Sequence, residues 1–453
     1  MESRRELYSM YAIIVLACAL GNLSQTAVSA MLPHIDASLG IDVTTGQWLT
    51  SGYMLALGIV VPLATYCSHR FSWRMHICIG LMLSIIGSLL DIFAQDFVVM
   101  LLGRILQAAS CGVLMPLMQT IAMTEFAPGK RATAMGIAGI AMGFAPNVGP
   151  TVGGAMNHAW GWQSFFVLLL GFSAVLMIAT VLFIPGGQAK RKASFETISF
   201  IFSTLGFGGI LLGLSQASSL GFASFMVWVP ILLGTLFLLL FFWRQKRVAS
   251  PLIDLSIFHS SRYNKGIVAL SLLFASFMGV TLVIPLYVVD LCHGTSLDAG
   301  LVILPTTISA LVMNPLSGIL ADRFGTRPVV LVAATVLAIG ALGCCVVNET
   351  TPLWVLSAWQ TVRACGVSSL IGPLQAWSLD KLEPRVITDG SSFSTIVRQA
   401  ASSFGTSLMV AIISLTTAYA LTIGNAALPY QCAFGFSALL SCAVLVFSIC
   451  KVR

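Results

Sequence analysis

Apolar runs of roughly 20 residues or more recur from residue 10 to residue 450, broken by short polar stretches. A run of that length at about 1.5 Å per residue crosses a hydrocarbon layer about 30 Å thick. Inside hydrocarbon the backbone must satisfy itself, which leaves helices and closed barrels. Ten-residue alternating strands are absent, so the pattern predicts helices. The predicted spans are 10–33, 46–67, 76–94, 97–121, 132–156, 163–184, 197–217, 225–243, 266–289, 297–320, 328–347, 352–378, 391–420 and 429–450, fourteen in all. The first lacks a small-residue cleavage site and is expected to be retained as a span.

Charge sets an orientation. Lys and Arg gather at 4–5, 70–74, 130–131, 190–192, 244–247, 262–265, 323–327, 381–385 and 451–453, all chain ends or even-numbered connections. The odd-numbered connections hold Asp36, Asp42, Asp96, Asp298 and Glu349 and no basic residue. Basic loops stay inside, so both termini are expected in the cytoplasm.

Composition narrows the function classes. Only 9% of the 453 residues are charged, against about 25% in a soluble domain. The net charge of +7 is not gathered on one soluble face, which argues against nucleic acid as a partner. The eleven cysteines lie mostly inside apolar runs, without metal-ligand spacing. No nucleophile–base set, phosphate loop or metal cluster is visible, so neither an enzyme nor a cofactor is expected.

A repeat organises the chain. Residues 62–75, "PLATYCSHRFSWRM", align without a gap to 315–328, "PLSGILADRFGTRP". The two share Pro62/Pro315, Leu63/Leu316, Arg70/Arg323, Phe71/Phe324 and Arg74/Arg327. Arg104 and Arg363 fall in the fourth span of each block, followed by "PLMQ" (116–119) and "PLQ" (373–375). The expected units are a six-helix bundle over 1–184, two inserted helices within 185–250, and a second six-helix bundle over 251–453. Parallel six-helix repeats are the plan of a transporter whose halves rock around a central site.

At these residues the chain resembles the major facilitator superfamily, and most of all its fourteen-span drug:proton antiporter branch. The likeness rests on "GILADRFGTR" (318–327), "RILQAASCGVLMP" (104–116), "GPTVGG" (149–154), "SPLIDLSIF" (250–258) and "SSFSTIVRQAASSFGTSL" (391–408). It implies an all-α polytopic membrane protein with the major-facilitator fold, two six-helix bundles plus two inserted helices. It also implies residence in the cell membrane as a single copy, in contact with the lipid bilayer. The implied activity is efflux of small amphipathic compounds in exchange for protons, by alternating access.

Three groups of residues are candidates for that work. Pro146, Gly149, Pro150, Gly153 and Gly154 form the fifth-span antiporter motif; prolines bend a helix and glycines admit a close neighbour. His69, Arg70 and Arg74 in the first copy, with Gly318, Asp322, Arg323, Gly325 and Arg327 in the second, are the expected cytoplasmic latch. His69 stands where the pattern has Asp, so the first half of the latch is expected to be weak or pH-sensitive, and His69→Asp is expected to restore it. Arg104 lies deep in the fourth span, where a charge is costly. In the family pattern an acid on the first span faces it, but here "LSQTAVSAMLP" (23–33) puts Ser24, beside Gln25, at that place. None of the sixteen acids is predicted at mid-membrane. Asp91 is the nearest alternative proton site, and Gln107 and Arg363 complete the substrate and coupling set. Two other readings stay open. One is an exporter or flippase of an anionic or lipid-like molecule, with Arg104 as counter-charge. The other is a transport-dead sensor or scaffold.

Overall fold

The computed structural model describes residues 4–186, 195–248 and 251–452. The basic cluster at 190–192, the junction at 249–250 and residue 453 lie outside the described residues. Each predicted run coincides with a helix. These are α1 (Arg4–Leu39), α2 (Trp48–Arg70), α3 (Trp73–Ile92), α4 (Phe97–Thr124), α5 (131–160), α6 (Gln163–Phe183), α7 (Thr197–Leu220), α8 (Phe225–Gln245), α9 (Ser261–Leu291), α10 (Ser296–Phe324), α11 (Thr326–Cys344), α12 (Leu353–Leu379), α13 (Ile387–Ile423) and α14 (Leu428–Lys451). Twelve of them are long and apolar enough to cross a membrane. The other two are as long but less apolar: α5 is rich in Gly and Ala, and α12 carries four Ser, two Gln and Arg363. The first half of α5 and most of α12 are covered by other helices, so lipid does not demand apolar residues there.

Several helices run past their predicted ends, because backbone bonding continues where hydropathy stops. Side chains close the polar ends. Asp96 accepts from the Val99 amide at 2.9 Å to start α4. Thr295 and Asp298 form a reciprocal capping box at the start of α10.

Helices α1–α6 pack as one bundle and α9–α14 as another, joined by α7 and α8. Their basic ends lie together, so the described chain ends, residues 4 and 452, share one end of the molecule with the latch segments. We call this the basic end. Helix α7 lies against both α2 and α13 and so touches both bundles. Helix α8 packs on α7 through glycine contacts; a Cβ at Gly209 would come within 2.9 Å of the Gly234 Cα. Arg244 on α8 meets Glu196 at the start of α7 at 2.9 Å, closing this hairpin at the basic end.

Candidate functional site

Arg104, on the third turn of α4, is fully buried. Its Nη1 donates to Ser24 Oγ at 2.6 Å and to Gln107 Oε1 at 2.8 Å. Its Nη2 donates to the Ser24 carbonyl at 3.0 Å and its Nε to the Leu49 carbonyl at 3.3 Å. The guanidinium also lies 4.3 Å from the centre of the Tyr53 ring. Ser24 in turn donates to Gln107, whose amide reaches Ser88 at 3.2 Å. Neutral acceptors from α1, α2 and α4 thus take most of the five N–H donors of a guanidinium. Asp91 on α3 is packed against Gly103, and both its oxygens lack a hydrogen-bond partner among the described residues. Gln25 is only half-buried.

Arg363 is the counterpart on α12. It donates to the Ser276 carbonyl at 2.7 Å and to Gln360 at 3.4 Å, while its Nε has no partner among the described residues. It sits inside the second bundle and not on its face.

The fifth-span motif shapes α5 in two parts. Pro150 has no N–H to give the carbonyl of Pro146, one turn back. Thr26 of α1 supplies the missing donor at 2.7 Å. Gly149 and Gly153 face α1, and a Cβ at Gly153 would stand 2.6 Å from the Ala27 carbonyl oxygen. A Cβ at Gly154 would meet nothing nearer than 3.9 Å. The motif therefore fastens the second half of α5 to its own bundle. The first half does the opposite: Gly136 and Gly139 face Asn314 of α10, and Gly136 also faces Gly372 of α12. Between the two halves the helix widens into a π turn at Ile140–Phe144.

That first half belongs to the seam between bundles. Asp322, at the basic end of α10, accepts from the Ala132 amide at 3.1 Å, the Thr133 amide at 2.7 Å and the Thr133 hydroxyl at 2.6 Å. These are the exposed donors of the α5 N-terminus, where a carboxylate is favoured. A Cβ at Gly318 would collide with the Ala132 backbone, so glycine permits this approach. Gly325 turns the chain out of α10 at φ +88°, a conformation suited to glycine. Arg323, stacked on Phe324 at 5.3 Å, and Arg327 point to the surface. Arg70 and Arg74 are half-buried at the matching corner.

The first motif copy uses the inverse arrangement. His69 Nε2 lies 3.8 Å from Asp389 Oδ2, and Asp389 stands in the first turn of α13. The acid absent from the motif is carried instead by the helix it faces. Further pairs cross the seam: Gln375–Gln119 at 3.0 Å, Gln119–Thr395 at 3.3 Å, Thr120–Thr388 at 3.2 Å, Thr65–Ser392 at 2.9 Å and Arg131–Asp380 at 3.6 Å. Among the described residues, the hydrogen bond across the seam that lies farthest from the basic end joins Arg398 to the sulfur of Met142, at 3.0 Å, in the π turn. Beyond it α1 packs on the first bundle and α9 on the second.

A family model described as Major Facilitator Superfamily matches residues 14–406. The chain belongs to that superfamily. It is 31% identical over 408 residues to the uncharacterized MFS-type transporter YcnB of Bacillus subtilis, covering 90% of this chain and 86% of that protein. It is 30% identical over 403 residues to the lincomycin resistance protein LmrB of Listeria monocytogenes, covering 89% and 86%. It is 26% identical over 408 residues to the multidrug resistance protein B homolog of Mycobacterium tuberculosis, covering 89% and 75%. Among solved structures, the human organic anion transporter MFSD10 superposes with a TM-score of 0.70 at 13% identity, over 98% of this chain and 99% of that one. The proton:xylose symporter XylE gives 0.65 at 16% identity, over 99% and 96%. Both likenesses establish the fold. This superfamily member is a multi-pass membrane transporter and not an enzyme.

Four residues that the sequence reading passed over stand at the seam of this transporter: Arg398, Asp389, Gln119 and Asn314. Arg398 had a signal, since it is the twelfth residue of a membrane helix and meets the same cost argument as Arg104. Asp389 had none, because its partner lies in the other bundle.

Proposed function

We propose that the protein exports small amphipathic compounds by alternating access, with fourteen spans, both termini in the cytoplasm, and inward proton movement as the driving force. One observation carries the reading. The bundles are pinned together at the basic end by Asp322 on the α5 N-terminus and by the Gln119–Gln375 pair, while α1 and α9 hold to separate bundles at the other. With the basic end inward, this is a state closed to the cytoplasm. The likeness to a lincomycin resistance protein and to a multidrug resistance protein B homolog supports efflux as the direction. Helices α5 and α12 complete the count of fourteen, since each is long enough to span and is flanked by spanning helices. Asp91 is the proposed proton carrier: a carboxyl group buried without a partner holds its charge at high cost, and Arg104 is the adjoining residue to Gly103, on which it packs. Arg104 itself is proposed to hold α1, α2 and α4 together.

The test uses everted membrane vesicles energised to acidify their lumen, offered ethidium, lincomycin and 1-pyrenebutyrate. At least one probe accumulates only when the protein is present, a protonophore collapses the gradient, and Asp91→Asn abolishes the coupling. Accumulation of none of the three refutes export. Accumulation that ignores the protonophore refutes proton coupling.

A further inference from the structure

The seam holds a guanidinium that the fold does not satisfy. Arg398 is 4% exposed, yet its donors find poor company. Nη1 points at the Met142 thioether at 3.0 Å, a weak acceptor, and Nη2 at Thr395 Oγ1 on its own helix at 3.4 Å. Nε has no partner among the described residues. The cation lies 5.0 Å from the centre of the Phe274 ring of α9, and no carboxylate pairs with it among the described residues. Arg104, equally buried, engages four neutral oxygen acceptors. The two buried arginines therefore differ: Arg104 has most of its donors on oxygen, whereas Arg398 has one oxygen acceptor, at 3.4 Å.

Position gives the shortage a use. Arg398 and Met142 are each the twelfth residue from the basic end of their helices, about 17 Å in at ~1.5 Å per residue, near mid-membrane. Among the described residues, theirs is the deepest hydrogen bond across the seam. The face of α13 that meets the first bundle carries Thr388, Ser392 and Thr395, each bonded across it. The same stripe continues through Gln399, Ser402 and Thr406, which are half-buried and for which the described residues supply no hydrogen-bond partner. Asn314, beside the π turn, adds a buried and unpartnered Oδ1. A polar lane on α13 thus leads toward the level of Arg398, where an aromatic ring, a polarizable thioether and a weakly bonded fork of N–H donors meet.

We propose that Arg398 is the anion-binding group of the substrate site, and that the protein takes amphipathic carboxylates. The carboxylate accepts from the guanidinium fork in place of Met142, and the apolar body of the substrate lies against Phe274 and the π turn of α5. A guanidinium keeps its stacking on a ring while binding a carboxylate with two parallel hydrogen bonds. Because Met142 belongs to the first bundle and Arg398 to the second, replacing this contact with substrate also removes a hydrogen bond that joins the bundles. The inference rests on the transport reading above and names the substrate class of that transporter.

The test compares 1-pyrenebutyrate with the uncharged 1-pyrenebutanol, by fluorescence binding to protein in nanodiscs and by uptake into everted vesicles. Wild type binds the carboxylate at least about tenfold more tightly than the alcohol, as a charge-assisted pair requires. Arg398→Gln removes that preference, and Arg398→Lys retains part of it. Met142→Leu, which takes away the internal acceptor, raises carboxylate affinity; this variant serves where Arg398→Gln fails to fold. Equal preference in wild type and Arg398→Gln, or no gain in Met142→Leu, overturns the assignment. Transport of the alcohol without carboxylate preference, or transport of ethidium or lincomycin with neither pyrene probe carried, overturns the substrate class and leaves transport standing, whereas transport of none of these probes by wild type overturns both.

Discussion

Asp322→Asn is the sharpest perturbation of the seam. The carboxylate accepts three hydrogen bonds from the first turn of α5, two of them on Oδ2 from the Thr133 amide and hydroxyl. The Asn side chain can keep its oxygen on the two Thr133 donors, but then turns its amide N–H₂ toward the Ala132 N–H. One charge-assisted bond is lost, worth about 1.5–3 kcal/mol, together with about 0.3–1 kcal/mol of attraction to the helix N-terminus. Asp322 is half-buried, which favours the low end, about 2 kcal/mol or a ~30-fold shift toward opening of the basic end. The reporter is Thr120→Cys, buried at the seam opposite Thr388, in a background with the eleven native cysteines replaced. Its labelling by a membrane-impermeant maleimide from the basic side should rise by about that factor in Asp322→Asn. Thr133→Val, which removes one hydroxyl, should produce a smaller rise. An unchanged rate in both variants would refute the latch and leave the motif as a basic loop.

The other predictions concern separate contacts. His69→Asp should loosen the same seam and not restore it, because the new carboxylate would face Asp389; the Thr120→Cys reporter would read this as faster labelling, and slower labelling would refute it. Gly153→Val should destabilise the first bundle by about 1–3 kcal/mol, since its Cβ meets the Ala27 backbone, whereas Gly154→Ala should be tolerated; thermal melting in detergent distinguishes them, and equal effects would count against the packing argument. Hydrogen bonds from Arg244 hold the Glu196 carboxyl below the usual range. A depressed folded value means this pair stabilises the α7–α8 hairpin above the unfolded value of about 4.3 and loses that contribution as the pH falls through the folded one. Arg244→Gln should therefore melt lower than wild type at neutral pH, by no more than about 1 kcal/mol, and alike near pH 3; a pH-independent difference would refute it.

The helices were legible because lipid imposes a length and a composition on any segment it surrounds. The repeat was legible because charged and proline residues in apolar sequence are rare enough to align. What sequence could not carry was pairing across the seam. Ser24 read as a missing acid, yet its hydroxyl and carbonyl, with Gln107 and Leu49, pair Arg104 without one. His69 read as a lost anion, yet Asp389 lies opposite. The antiporter glycines read only as places for a close neighbour, and the structure says which: Gly149 and Gly153 serve α1, while the seam uses Gly136 and Gly139. Each case depends on which helix stands opposite, and helix spacing along the chain does not encode that.

The inserted hairpin leaves the two flanks of the molecule unequal. Helix α7 lies over the α2–α13 junction, with Leu211 against Gly58 and the Leu214 carbonyl accepting from Ser407. The α5–α10 junction on the other flank carries no such cover among the described residues. A compound already dissolved in the bilayer can reach the space between the bundles from the side as well as from the aqueous ends. With one flank splinted, the proposed alternating access would leave the α5–α10 side as the freer of the two for such a route. Under the same proposal the splint would ride with one bundle, and the α7 contacts on the other would break and re-form on every cycle.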